Sequence, residues 1–207
     1  WYQPEIQSVQ QYWQQRPSRL LHTLERKGGK IRRNPDYQLQ IFSQGSRDEL
    51  IQALIHYHHC YRNSWKNIEP NPGFIDAIAE YAWQQGQLRL GLVFYQQQPV
   101  AAQLWFVRDG IASIFKLAHH QDFTRHSVGS VLTAALVDHV IAQDNIHYLD
   151  FLTGDDDYKK DWMAQQQPLY GLQASNLTRW RGQLSALHNL LSVLTKPVRK
   201  DLLAGLK

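Results

Sequence analysis

The 207-residue sequence contains a single cysteine, Cys60. One cysteine excludes both an internal disulfide framework and a zinc site built from several cysteines. A chain so poor in cysteine is typical of a reducing compartment, and we predict a cytoplasmic protein. Long hydrophobic runs are also missing. Because no uninterrupted apolar stretch approaches the ~20 residues that a transmembrane helix needs, no transmembrane segment is predicted.

A strong excess of charge is missing as well. The sequence has 22 Lys and Arg against 18 Asp and Glu, a formal net charge of +4. This balance permits an anionic ligand but is too small to indicate a nucleic-acid partner, and none is expected. Hydrophobic residues make up 43% and aromatic residues 12% of the chain. Such a composition excludes a disordered chain, and the length indicates one domain with or without appendages.

The first part of the chain, residues 1–34, is predicted to be a basic helical segment. Its apolar residues, among them Leu20 and Ile31, recur at helical spacing and are surrounded by Lys and Arg. We interpret the basic face as a solvated surface, with an anion-binding face as the alternative. The sequence begins at Trp1 rather than Met. We therefore expect the segment to be a linker, or the end of a missing N-terminal half of a longer protein.

The remaining chain is predicted to form one domain at 35–180 and a C-terminal helix at 181–207. An antiparallel meander ends in an Asp109-Gly110 hairpin, and a parallel crossover follows over residues 111–152. This order predicts an α/β (α+β) fold with an open, twisted, mixed and mostly antiparallel sheet and helices on both faces. The predicted strands are 37–42, 88–95, 100–107, 111–118, 146–152 and 169–175. The predicted helices begin at a capping box of Ser46 and Glu49, at 74, at 129, at 158 and at 184, the last broken before Pro197.

A turn containing Gly129 connects the strand 111–118 to a helix N-terminus. A helix N-terminus offers free backbone N–H groups, and a glycine lets a ligand approach the backbone closely. This chemistry suits a phosphate or pyrophosphate, although a glycine at a helix start is by itself a weak signal. Polar side chains in the same turn that offer further donors are Arg125, His126, Ser127 and Ser130.

Two other segments contain residue types that commonly bind metal ions. His56 and Cys60 are four residues apart on one predicted helix, and residues 153–157 are acidic. The first lacks a second ligand pair, and the second lacks the twelve-residue spacing of a calcium-binding EF-hand. We interpret the first segment as a helix with mixed polar faces and the second as an acidic helix cap, and we predict no metal site. Cys60 lies in mid-helix without an activating base, which argues against a nucleophile.

Short motifs spread over roughly residues 18–175 match one known family. They are Ser64-Trp65-Lys66, Glu69-Pro70, Pro72-Gly73-Phe74, Leu88-Arg89-Leu90-Gly91, 99–105, 114–118, the turn 126–133, 150–159 and Trp162-Met163. With the element order, they resemble the GNAT acetyltransferase superfamily, in particular its branch of CelD-type proteins of cellulose and exopolysaccharide biosynthesis, related to Fem-type transferases. His126 stands where that family usually has Arg or Gln, and Val131 where it has a small residue. The branch usually carries a second GNAT-like half before this one.

The resemblance implies an N-acyltransferase that moves an acetyl or other acyl group from acyl-CoA to an amine, in polysaccharide or cell-envelope biosynthesis. The co-substrate would be acetyl-CoA or another acyl-CoA, and the acceptor a small-molecule amine or a glycan- or lipid-linked amine. Because the pyrophosphate turn is altered, a non-catalytic binding or scaffold module is an alternative, and a Fem-like aminoacyl transferase is another. The implied CoA-binding residues are Leu117, Ala118, Arg125, His126, Ser127, Gly129 and Ser130. The implied acceptor-binding residues are Trp65, Lys66, Glu69, Gln103, Trp105 and Asp155, with a core position as the alternative for the tryptophans.

The predicted reaction centre contains Asp150, Lys116 and Tyr158. A carboxylate within a strand is costly unless it is paired, and Lys116 on the neighbouring strand is the expected partner. The pair is either purely structural or functional, with Lys116 keeping Asp150 ionised as a general base. Tyr158 lies near the place where GNAT enzymes that use a tyrosine acid have it, so the resemblance implies that its hydroxyl protonates the CoA thiolate. The alternative is a hydrophobic anchor for the short helix that it opens.

Overall fold

The computed structural model describes residues 1–204, which fall into two compact units, Trp1–Gln167 and a second that begins at Pro168. The first unit contains a six-stranded sheet and every candidate site residue. Its strands are β1 (Tyr2–Gln3), β2 (Tyr37–Phe42), β3 (Leu88–Tyr95), β4 (Gln98–Arg108), β5 (Ile111–His119) and β6 (Tyr148–Asp150). Its helices are α1 (Val9–Gln14), α2 (Ser18–Arg33), α3 (Arg47–Arg62), α4 (Pro72–Gln84), α5 (Val128–Ala142) and α6 (Lys159–Trp162), and the second unit contains α7 (Trp180–Ala204).

The strand order across the sheet is β1-β6-β5-β4-β3-β2. β5 and β6 run parallel, joined through α5, and the other neighbouring strands pair antiparallel. The predicted mixed, mostly antiparallel sheet is therefore confirmed. The hairpin between β4 and β5 is also confirmed, since Asp109 and Gly110 have φ angles of +52° and +73°.

Helices cover both faces of the sheet. Leu90 and Leu92 of β3 belong to the core under α3 and α4, whereas the intervening Gly91 faces α5. A Cβ on Gly91 would lie 2.8 Å from Cδ1 of Leu136, so the glycine lets α5 pack directly on the sheet. The α5 side of the core also contains buried residues of α2, and the two layers match the predicted architecture.

The predicted boundary at residue 34 is not a boundary between compact units. β1 pairs with β6, and Leu20 and Ile31 of α2 are buried in the same core as α5. The apolar stripe that predicted a helix thus packs on the domain, because an amphipathic helix of this kind is stabilised by burying that stripe. The segment belongs to the first unit.

The C-terminal part differs from the prediction in two ways. Residues 169–175 form no strand, and Leu169 and Leu172 are 73% and 98% exposed. An alternating pattern becomes a strand only where a neighbouring strand accepts its hydrogen bonds, and residues 1–204 provide none here. α7 begins at Trp180 and continues past Pro197, since a proline can kink a helix without ending it. The last three residues of the predicted helix 181–207 lie outside the described residues. Within residues 1–204, no helix combines the length and apolarity that crossing a bilayer requires.

Candidate functional site

The two parallel strands separate part of the way along β5. β5 pairs with β6 from Ile111 to Ser113, and from there to His119 it pairs within the described residues with β4 alone. β6 ends at Asp150, and Leu152 two residues later has a φ of +51°. Such a left-handed conformation is uncommon for a bulky side chain and costs free energy. The chain therefore turns away from β5 and leaves one edge of that strand facing an open groove.

A β-bulge lies where β5 leaves β6. Leu104 of β4 is opposite Lys116, whereas the next residue, Trp105, is opposite Ile114. Phe115 is thus the extra residue of the bulge. A bulge bends its strand and redirects the side chains beside it, so it contributes to the separation of β5 from β6.

Two cavities adjoin along the free edge of β5. The first, called here the strand cavity, has a volume of about 580 Å³ and is lined by Trp65, Lys66, Ile114, Phe115, Lys116, Leu117, Phe151, Leu152, Thr153, Asp156, Tyr158 and Lys159. The second, the helix cavity, has about 400 Å³ and is lined by Arg19, Leu20, Thr23, Trp65, Gln103, Leu117, His119, Thr124, Ser127, Gly129, Ser130, Thr133, Tyr158, Asp161 and Trp162. Three side chains line both cavities, namely Trp65, Leu117 and Tyr158. The cavities are therefore adjacent, and together they are called here the groove. A concavity of about 670 Å³ on α2 is lined by that helix alone and lacks an opposing wall.

The N-terminus of α5 opens into the helix cavity. Ser127 has a φ of +57° and its side chain makes no capping hydrogen bond. The first backbone N–H groups of a helix have no intrahelical partner, and here Gly129 and Ser130 line the cavity. A Cβ on Gly129 would lie 3.2 Å from Nδ1 of His119, so the glycine keeps this approach open. The arrangement favours an anion.

Arg125 and His126 of the same turn face a different cavity. They line a basic pocket of about 430 Å³ together with Lys27, Lys30 and Tyr37, beside the N-terminus of α5. Nδ1 of His126 lies 2.5 Å from the Tyr37 hydroxyl. The ammonium of Lys27 donates to the carbonyl of Arg125. The predicted CoA-binding residues are thus divided. Leu117, Ser127, Gly129 and Ser130 line the groove, Arg125 and His126 line this pocket, and Ala118 is buried in the core and lines neither.

The predicted ion pair between Lys116 and Asp150 is wrong. Lys116 Nζ lies 2.7 Å from Oε2 of Glu69, and this hydrogen bond lowers the pKa of the Glu69 carboxyl. Asp150 instead accepts the backbone N–H of Leu152 at 2.7 Å and lines neither cavity. Because the strands separate after Ser113, β6 has no residue opposite Lys116, and the loop between α3 and α4 supplies its carboxylate instead.

Tyr158 lies at the junction of the two cavities, immediately before α6. The residue is 42% exposed, and its partial burial, followed by the charge of Asp156, raises the pKa of its hydroxyl to about 12. The phenol therefore remains protonated at neutral pH and can donate a hydrogen bond into the groove. The structure brings Lys116 and Tyr158 to the same groove, as predicted, but leaves Asp150 outside it.

Sequence reasoning did not single out Lys159, which holds the acidic turn in place. Its side chain is 5% exposed, and its ammonium donates to the carbonyls of Phe151, Thr153 and Gly154 at 3.1, 2.6 and 3.3 Å. Asp156 lies 3.6 Å away. A lysine in a polar segment resembles a surface residue, so no signal in the sequence distinguishes it.

The predicted acceptor-binding residues are also divided. Trp65 and Lys66 line the strand cavity. Trp105 has no exposed surface and donates its indole N–H to Gln103, so it belongs to the core. Gln103 lines the helix cavity and donates to the carbonyl of Gly129 at 3.0 Å, which ties β4 to α5. Asp155 lines neither cavity and accepts the indole N–H of Trp1 at 2.9 Å.

The residues considered for a metal do not come together. No group of three or more His, Cys, Asp or Glu residues within the described part of the chain could hold a metal ion. Cys60 is fully buried, and burial raises the pKa of its thiol to about 12. A thiol that stays protonated is a poor nucleophile.

The mixed sheet with helices on both faces defines an α/β protein. Its two parallel strands separate beside a helix N-terminus and leave a groove in the open sheet. The family model described as Acetyltransferase (GNAT) domain matches residues 18–160, well over half of the chain. The chain belongs to the GNAT acetyltransferase family.

Several solved structures are similar in fold. The aminoglycoside N-acetyltransferase AAC(6′)-Iy in complex with CoA is 10% identical, covers 68% of this chain and 96% of that one, and has a TM-score of 0.50. An aminoglycoside acetyltransferase from an uncultured soil metagenomic sample, in complex with sisomicin, is 14% identical over 68% and 97% of the two chains, with a TM-score of 0.45. A ribosomal-protein-alanine N-acetyltransferase from Brucella melitensis biovar Abortus 2308 is 12% identical over 66% and 98%, with a TM-score of 0.45. At these identities the likeness concerns the fold alone. The sequence has no significant match among curated proteins.

Proposed function

We propose that this protein transfers an acetyl or other acyl group from acyl-CoA to an amine acceptor. The observation that carries the proposal is the pair of adjacent cavities that extend from the N-terminus of α5 along the free edge of β5. An unpaired strand edge offers N–H and C=O groups to an extended, amide-containing arm, as in the addition of a strand to a sheet. Membership of the GNAT family supports the same reaction class.

The phosphates of CoA would bind at the N-terminus of α5. The free backbone N–H groups of its first turn and the positive end of the helix suit a pyrophosphate. Gly129 and Ser130 face the helix cavity, and the neighbouring basic pocket contributes Lys30 and Arg125. The positive end of α5 and the basic pocket beside it support this orientation of CoA, with the pantetheine arm passing Leu117.

The transfer needs no metal ion and no covalent enzyme intermediate. The acceptor nitrogen attacks the thioester carbonyl carbon, a C–N bond forms, and the C–S bond breaks to release the CoA thiolate. Alignment of the two substrates in the groove supplies part of the rate. The Tyr158 hydroxyl, still protonated at neutral pH, donates to the thiolate. Asp156, the carboxylate that lines the strand cavity, accepts the amine proton directly or through water.

Substitution of the two aspartates tests this assignment of the base. Asp156→Asn is expected to lower kcat about 100-fold or more, because an amide cannot accept the proton. Asp150→Asn is the control, and we expect kcat within about twofold of wild type, because Asp150 lies outside the groove. Steady-state kinetics with acetyl-CoA and a confirmed acceptor measures both. The opposite result would return the role of base to Asp150.

Thermal unfolding in the presence of CoA tests the proposed co-substrate. At a CoA concentration one hundred times the dissociation constant, the free energy of unfolding should rise by about 2.7 kcal/mol. Acetyl-CoA, longer acyl-CoAs and free CoA form the panel, with ATP as the control for unspecific phosphate binding. If neither CoA nor any acyl-CoA raises the melting temperature, the transferase proposal fails, and a non-catalytic module or a Fem-like aminoacyl transferase takes its place.

The motif resemblance supports a finer assignment, which we include in the proposal. The CelD-type branch implies an acceptor amine on a small molecule, a glycan or a lipid-linked glycan, in polysaccharide or cell-envelope biosynthesis. Identification of the acylated product in cells that express the active protein, against cells that express the Gly129→Val variant described below, would test it. The cytoplasmic location stays a prediction.

A further inference from the structure

Three lysines line the strand cavity, and two of them have their charge satisfied within the protein. Lys116 pairs with Glu69 at 2.7 Å. Lys159 donates to three backbone carbonyls and lies 3.6 Å from Asp156. Neither ammonium therefore needs a ligand to compensate its burial.

The third lysine, Lys66, is half-buried and has no such partner. Within the described residues its ammonium makes no hydrogen bond or ion pair, and it lies 5.9 Å from the ring of Tyr61 and 5.8 Å from that of Trp65. Burial lowers the pKa of Lys66, and so does the charge of Lys116 and of Lys159, against the opposing charges of Asp156 and Glu69. Contacts with two aromatic rings recover only part of the free energy that a cation loses when it is removed from water. An anion beside Lys66 would recover the rest by pairing with the ammonium.

The proposed phosphate site at the N-terminus of α5 does not include Lys66. Lys66 lines the strand cavity but not the helix cavity, where the N-terminus of α5 attracts the pyrophosphate. Leu117 and Tyr158 lie between the two regions, because each of them lines both cavities. An anion at Lys66 would thus belong to the other substrate, the amine acceptor.

We propose that the amine acceptor carries an anionic group, a carboxylate or a phosphate, and that Lys66 binds this group and positions the amine for attack. The inference rests on the proposed acyl transfer. Lys66 takes no part in the bond changes: the acceptor nitrogen forms the new C–N bond, the C–S bond breaks, and CoA leaves as the thiol. A charge-assisted hydrogen bond in a partly dry cavity is strong enough to select an anionic acceptor over its neutral analogue.

The test compares acceptors that differ only in the anionic group. The probes are L-alanine with L-alaninamide, glucosamine 6-phosphate with glucosamine, and spermidine as an amine without an anion. The wild-type protein is expected to acylate the anionic member of at least one pair with a kcat/KM about 10- to 30-fold above that of its neutral partner. The alanine and glucosamine pairs distinguish a carboxylate from a phosphate.

Lys66→Met should remove this preference by raising KM for the anionic acceptor, with KM for acetyl-CoA unchanged. Lys66→Arg should restore most of it, because the positive charge is retained. Lys160→Met is the matched control, since Lys160 is exposed, lies 3.2 Å from Asp157 and lines neither cavity. It should behave as wild type.

The inference is overturned if wild type binds acetyl-CoA but prefers the neutral members or spermidine, or acylates none of the anionic probes. It is also overturned if Lys66→Met keeps the anionic preference. Loss of acetyl-CoA binding by the wild-type protein itself would instead contradict the proposed function, and the CoA thermal shift separates that case from the others.

Discussion

Gly129→Val is expected to weaken CoA binding at least about 100-fold while the domain stays folded. Gly129 is the second residue of α5 and faces the helix cavity. A Cβ there would already lie 3.2 Å from Nδ1 of His119, and the valine methyl groups would occupy the space beside the free N–H groups. Because close approach of a phosphate to the backbone requires that space, the loss of affinity should be large.

Gly73→Val is the matched control for this substitution. Gly73 is likewise the second residue of its helix, α4, and a Cβ there would lie 3.8 Å from Oδ1 of Asn71, an ordinary contact. Calorimetric titration with CoA measures the affinity, and urea unfolding measures the stability of both variants. Unchanged affinity in Gly129→Val would exclude the N-terminus of α5 as the phosphate site. Equal losses in both variants would point to a general effect of valine in a first helical turn.

Tyr158→Phe is expected to lower kcat about 100-fold or more and to leave CoA affinity intact. The ring lies at the junction of the two cavities and packs near Phe151, with 6.1 Å between ring centroids. Phenylalanine keeps that packing and removes only the hydroxyl that donates to the thiolate. Near-normal turnover would instead mean that Tyr158 is a hydrophobic anchor. Tyr148→Phe is the control, because the Tyr148 hydroxyl lies outside the groove and its ring stacks on Tyr2.

The pH dependence of kcat independently tests the protonation state of the Tyr158 hydroxyl. Burial raises the pKa of Tyr158 to about 12, so the protonated, donating form persists to higher pH than in an ordinary tyrosine. Between roughly pH 7 and 10 the wild-type rate should therefore show no fall caused by ionisation of this residue. A falling limb in that range that disappears in Tyr158→Phe would contradict the raised pKa.

Local features of the fold could be predicted from the sequence alone. The Ser46–Glu49 capping box and the Asp109-Gly110 hairpin form as expected, and β3 covers Leu88–Tyr95, the predicted range. These features depend on side chain-to-backbone hydrogen bonds, backbone conformation and alternation over a few residues, all of which a short stretch of sequence specifies. The Gly129 turn belongs to the same group, because a helix N-terminus is local too.

The composition of the groove, by contrast, is decided by contacts between distant segments. Lys116 and Asp150 looked like partners because their strands are neighbours, but β5 and β6 separate after Ser113 and Glu69 takes the place of Asp150. The resemblance implies that Trp105 binds the acceptor, with a core position as the alternative, and the side chain is wholly buried. The sequence by itself determined the order of strands and helices from β2 to α6 and the glycine turn, since these follow from local chemistry. Only the tertiary structure decided which lysine is paired and which carboxylate reaches the cavity, because burial and ion pairing depend on where distant parts of the chain meet.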